Sequence, residues 1–170
     1  MNYDLFTHRH KFSVWAAARA TQRAFTTVKN LRGALEDCGI RDFLQTPHAL
    51  DTSATKFESL HRNWCPSVQE FLSKYGLQEK NTYGRAAKLV AVYLKTMVVI
   101  TENQSCSLAR VAHPPIDRLL LQNLAQSQNI ESPHKEDWRQ VNWTQLNAKS
   151  YYTLIRQLRA VLPADTPFWM

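Results

Sequence analysis

Residues 82–100, TYGRAAKLVAVYLKTMVVI, constrain this chain more than any other stretch. Almost every helical turn across them is apolar, so a helix formed there has no natural solvent side and belongs in the middle of a fold. Its longest apolar run, 89–100, is broken by Lys95 and is too short to span a bilayer. A buried helix of this kind needs other helices or a sheet to cover it. The sequence points to helices, because it holds only 4 glycines in 170 residues, too few for the tight turns of a hairpin-rich fold.

Helical periodicity runs through the rest of the chain. Residues 8–23 place Phe12, Trp15, Ala16 and Ala20 on one face, with Arg19 and Arg23 beside it. Residues 27–38 carry Val28, Leu31 and Leu35 and stop at Gly39, a usual residue just past a helix end. Residues 47–50 predict a short turn and 55–64 a third helix. Pro66 then suits the first position of a fourth, with Val68, Phe71, Leu72 and Tyr75 as its stripe and Gly76 closing it. A polar connection over 101–112 leads to His113-Pro114-Pro115, which opens a helix with Ile116, Leu119, Leu120 and Leu124 facing inward. After a polar loop at 126–136, Trp138 and Trp143 lead into a last helix at 147–162, bearing Tyr151, Leu154, Ile155 and Leu158. No repeat or low-complexity tract interrupts this pattern. The expectation is one all-α domain over 1–170, a compact orthogonal bundle of about seven or eight helices.

Charge narrows the partner. Lys and Arg number 21 against 14 acids, for a net charge of +7. A polyanion would explain that balance, since phosphate neutralisation releases counterions, although basic proteins are also simply soluble. Cys38, Cys65 and Cys106 cannot all pair within the chain, which fits a reducing cytoplasm. Their surroundings lack zinc-ligand spacing, so no metal and no cofactor is expected. The start of the chain has no apolar stretch of signal-peptide length, so no membrane partner is expected. P-loop, GxSxG, HExxH and GxGxxG motifs are absent from the sequence.

Two segments combine polar residues with predicted helix starts, where unpaired backbone N–H groups attract anions. One is KNTYGRAAKLV at 80–90; the other is AHPPIDRLL at 112–120. Lys80, Arg85, Arg110 and Arg118 are candidate phosphate contacts. Any one of them is more often simply a solvated surface charge.

Taken together, these residues resemble the helix-hairpin-helix DNA glycosylases of base-excision repair. In that family a helix, a glycine hairpin and a second helix grip a DNA phosphate, and a later proline-containing loop delivers an essential aspartate. Here 66–75 corresponds to the first helix, 76–84 to the hairpin and 84–100 to the second helix. Pro115-Ile116-Asp117 matches the Pro-x-Asp step, and Gly84-Arg85 resembles the Gly-Arg opening the second helix in several members. The resemblance covers 66–124. It departs from the family in the hairpin, where 77–83 has neither the closely spaced glycines nor the Leu-Pro. The position of the family's Schiff-base lysine holds Ala86, with Lys88 two residues further on.

The resemblance implies a DNA glycosylase acting as a monomer on double-stranded DNA. Asp117 would be its catalytic carboxylate, stabilising an oxocarbenium-like transition state. Lys88 would be an amine nucleophile permitting strand cleavage, with Lys95 in reserve; with Ala86 at the lysine position the enzyme would be monofunctional. Gly84, Arg85, Lys80, His113, Arg118 and Arg110 would hold DNA, and Tyr83, Trp15 and Trp64 would line a pocket for the extruded base. The residues alone leave other roles open. Asp117 can merely cap its helix, Lys88 can snorkel or bind phosphate, His113 can bond the backbone, and tryptophans are mostly core. A non-catalytic DNA- or RNA-binding protein, reading bases with Gln122, Asn123, Gln126 and Gln128, is the alternative function; a helical interaction module is a third.

Overall fold

Polar side chains open the main helices by bonding the amide three residues on, as isolated helix starts require. Thr27 caps α2 (Val28–Asp37), Ser53 caps α4 (Ala54–Ser73) and Thr82 caps α5 (Tyr83–Leu94). Asp117 caps α7 (Arg118–Gln126), and Asn147 forms a reciprocal capping box with Ser150 at α9 (Ala148–Ala160). The computed structural model describes residues 3–22, 25–77 and 79–170; Arg23 and Gln78 lie outside them. The remaining elements are α1 (Leu5–Gln22), α3 (Ile40–Leu44), α6 (Ser107–Val111), α8 (Lys135–Gln140), a π-turn at Lys95–Val99 and a 3-10 turn at Trp143–Gln145. The described residues form nine α-helices and no strand. The fold is all-α.

The centre is α5, as its composition requires. Ten of its twelve residues are buried, and it packs against α1, α4, α9 and the 3-10 turn. One buried cluster runs from Val14 in α1 to Leu158 in α9. Gly84 explains how the 3-10 turn comes so close: a Cβ there would lie 2.1 Å from the Trp143 carbonyl oxygen. The Gly84 amide donates to the Leu146 carbonyl at 2.9 Å, and the Thr82 hydroxyl donates to the Thr144 carbonyl at 2.7 Å.

Four sequence expectations are corrected. Pro66 does not start a helix but lies inside α4. It sits on the exposed side and removes only its own N–H, while Phe57, His61, Trp64, Cys65, Val68 and Leu72 form one continuous buried stripe past it. Helix α1 is turned over: its buried residues are His10, Ser13, Val14, Ala17, Ala18 and Thr21, and Phe12 and Trp15 are exposed. Small residues let α1 approach α5 closely, which bulky rings would prevent. Tyr75 and Leu119, expected inside, are exposed. The helix expected over 82–100 loosens at Lys95, where the Ile100 amide reaches back five residues to the Lys95 carbonyl at 3.0 Å.

Candidate functional site

The segment from His113 to Asp117 is stiffened by two prolines, which restrict their own backbone and that of the residue before each. Ile116 anchors it in the core at 2% exposure. The next residue, Asp117, is therefore set at a defined height at the start of α7. One carboxylate oxygen, Oδ1, accepts from the Leu120 amide at 2.9 Å. The other, Oδ2, accepts from Lys88 Nζ at 3.0 Å. The two candidate catalytic residues thus meet, across 29 positions of sequence.

Their surroundings differ. The Lys88 side chain is 5% exposed, whereas that of Asp117 is 25% exposed. The ammonium lies 4.6 Å from the centre of the Trp143 ring, whose π-face partly replaces its lost hydration. Asp117 lines a cavity of about 290 Å³. Ala91, Lys95 and Val99 form one wall, Ala112 to Pro115 and Leu120 a second, and Phe168 and Trp169 a third. The π-turn contributes directly, since Lys95 and Val99 both fall within it and both face the cavity. Lys88 is not part of the wall; its ammonium sits behind the carboxylate. Lys95, the reserve nucleophile, is on the wall and exposed.

His113 joins this cavity to a polar cluster inside the core. It lines the cavity, and its Nδ1 lies 3.2 Å from the Tyr151 hydroxyl. Its ring is 4.8 Å from that of His61, which stacks on Tyr151 at an interplanar angle of 9°. His61 is fully buried. One consistent proton order has Tyr83 O–H donating to the Tyr152 oxygen at 3.0 Å and Tyr152 O–H donating to His61 Nδ1 at 2.9 Å. Cys65 Sγ lies against the His61 ring, 3.6 Å from Nε2 and 3.7 Å from Nδ1. Burial drives the group to neutrality. It lowers His61 well below the ordinary histidine value and His113 to about 3. It also raises the Tyr83 and Tyr151 phenols and the Cys65 thiol, and Tyr152 to about 12. Sequence reasoning missed His61, Tyr151 and Tyr152 as a polar unit. The available signal was a histidine inside an apolar stripe, at helical spacing from Phe57, Trp64, Cys65 and Val68.

The other expected site residues scatter. Trp64 is 4% exposed and packs in the core, and Tyr83 belongs to the buried network, so neither borders the Asp117 cavity. Trp15 faces outward from α1. Gly84 is buried under the 3-10 turn. With its amide on Leu146 and those of Arg85 and Ala86 on Thr82, the expected phosphate cradle at the start of α5 is already filled by protein. Arg85 lies 4.6 Å above the Phe25 ring, with Nε and Nη1 buried and no partner among the described residues; burial lowers its pKa. Lys80 is exposed in the turn between α4 and α5. Arg110 donates to the Asp165 carbonyl. Arg118 is exposed, one residue past Asp117. Among the described residues no three His, Cys, Asp or Glu side chains gather as a metal site would need, and no helix is long and apolar enough to cross a membrane. No protein-family model, curated protein or solved structure matches the chain.

Proposed function

We propose that the protein hydrolyses an N-glycosidic bond in DNA and releases a base, with Asp117 as the catalytic carboxylate and Lys88 positioning it. The observation that carries this reading is the Asp117 carboxylate, held by two donors at the wall of a largely apolar cavity. At about 290 Å³ the cavity sits near the small end of ligand pockets (about 300–1,000 Å³) and suits one planar base. Phe168 and Trp169 offer it aromatic contacts, and Lys95 and Arg118 supply positive charge for flanking phosphates.

In this mechanism the bond from C1′ to the base nitrogen breaks, and its electron pair leaves with the base. The sugar becomes an oxocarbenium ion facing Asp117. Water then bonds to C1′ and gives up a proton to solvent. The ion pair does not cancel the effect of Asp117. A cation about 3 Å from the carboxylate and about 6 Å from the ammonium keeps about half of the attraction, by the inverse dependence on distance. With Lys88 behind the carboxylate, the reading is of a monofunctional enzyme that leaves the strand intact.

The test is incubation of the purified protein with duplexes carrying a panel of damaged or modified bases, scoring abasic sites by alkaline cleavage. Asp117→Asn keeps a capping side chain and is expected to lower the rate about 100-fold or more. Full activity in that variant, or no product on any duplex, overturns the proposal. A second reading, a non-catalytic DNA- or RNA-binding protein, draws on the bond from the Leu120 amide to Asp117 Oδ1, which gives the acid a capping role. It predicts binding indifferent to Asp117→Asn and no abasic product.

A further inference from the structure

Helix α1 buries its small and polar side and shows its large side to solvent. Leu5, Phe12 and Trp15 are 55%, 52% and 51% exposed. At about 100° per residue, Leu5, His8, Lys11, Phe12, Trp15 and Arg19 fall within one arc of about 120°, centred opposite Ala17. The Phe12 and Trp15 ring centres are 5.9 Å apart. No Asp or Glu occurs anywhere in the helix, whereas His8, Lys11 and Arg19 are all exposed. Within the arc, His8 and Arg19 project between Phe12 and Trp15, and Lys11 flanks Trp15.

Aromatic faces interleaved with cations suit a strand whose bases are unpaired. Each base has a π-face to stack, and each phosphate has a charge to neutralise. We propose that the outer face of α1 binds single-stranded nucleic acid, with Phe12 and Trp15 as the stacking platform and His8, Lys11 and Arg19 on the phosphates. From Lys11 to Arg19 the helix rises about 12 Å, enough for a few nucleotides.

Charge placement separates this occupant from two others. A helix lying on an anionic membrane keeps an unbroken apolar stripe with its cations along the edges, but here Arg19 and the polar His8 fall in the middle of the stripe. A second copy of the chain would bring like charges together, with no acid on the helix to pair them. The face is also separate from the Asp117 cavity. α1 packs on the Tyr93 side of α5, with His10 Nδ1 2.8 Å from the Tyr93 hydroxyl. Ala91 and Lys95, two residues before and after Tyr93, point the opposite way into the cavity. The binding therefore stands independently of the glycosylase reading.

The experiment is a fluorescence-anisotropy titration of a short labelled oligothymidylate with the full chain, over a series of salt concentrations. Trp15→Ala and Phe12→Ala alter exposed helical positions, and circular dichroism checks that the fold is kept. Each is expected to weaken binding about tenfold. Lys11→Gln/Arg19→Gln is expected to flatten the logarithmic salt slope by about 1.4, at about 0.7 per phosphate contact. Asp117→Asn is expected to bind as the unaltered chain does; loss of binding there would move the strand to the cavity and overturn the proposal. Unchanged affinity in Trp15→Ala also overturns it. So does Trp15-dependent binding to phosphatidylglycerol vesicles in place of the oligonucleotide, or a dimer that Trp15→Ala dissolves.

Discussion

Two polar groups are buried beside α5, and they handle burial in opposite ways. The His61, Tyr83, Tyr152, His113 and Tyr151 cluster is neutral, and its members bond mainly one another. Lys88 and Asp117 are joined as a salt bridge, and its acid side borders a cavity. A neutral network is tolerated deep in a core once its donors and acceptors are matched. An ion pair placed there loses more hydration than it regains, unless one side keeps polar or open surroundings. Of the two, only the pair presents a charged group to the cavity, and the network packs inside the core behind it. His113 belongs to both.

The sharpest way to break this contrast is acid. Both histidines have folded pKa values below their ordinary 6.5, His113 at about 3. As pH falls below 6.5, the unfolded chain takes up protons that the folded chain refuses. Stability is therefore complete above pH 6.5 and declines below it by about 1.4 kcal/mol per pH unit for each histidine. For two histidines the expected loss is about 4 kcal/mol by pH 5, readable from urea unfolding at pH 7.5 and pH 5. His113→Gln should roughly halve that loss; a flat profile would mean that the imidazoles are charged or open to water.

Next in size is removal of one ion. Lys88→Met removes the ammonium that bonds Asp117 Oδ2 and is expected to cost about 3 kcal/mol. Lys88→Met/Asp117→Asn keeps the cap while removing the carboxylate's charge as well, so it should be more stable than Lys88→Met alone. If instead the double variant is the weaker in urea unfolding, the pair is not acting through charge. The smallest effect belongs to the neutral side. Tyr83→Phe removes a hydroxyl that donates to Tyr152 and should cost about 1 kcal/mol in the same assay.

Much of the local structure was legible. Thr27, Ser53, Thr82, Asp117 and Asn147 sit where a short polar side chain can reach the amide three residues on, a relation contained within one turn. The all-helical class and the central place of α5 follow from apolar spacing in the same way. Pro66 shows where local reading stops. A proline is a helix breaker in isolation, yet α4 continues past Pro66 along the buried stripe from Phe57 to Leu72. Trp15 shows the same limit from the other side, because hydrophobicity alone sends a tryptophan inward, whereas close approach to α5 selected Ala17 and Ala18.

The candidate site divides along the same line. By itself the sequence determined that an acid stands at the start of a helix after two prolines, and that a lysine interrupts the most apolar helix. Both are statements about neighbours in the chain. Only the tertiary structure decided that Lys88 reaches Asp117, that Phe168 and Trp169 line a cavity beside them, and that three tyrosines and two histidines cluster behind it. Contacts of that range depend on which helix faces pack together, and packing is settled by shape and volume across the whole core, which no single segment encodes.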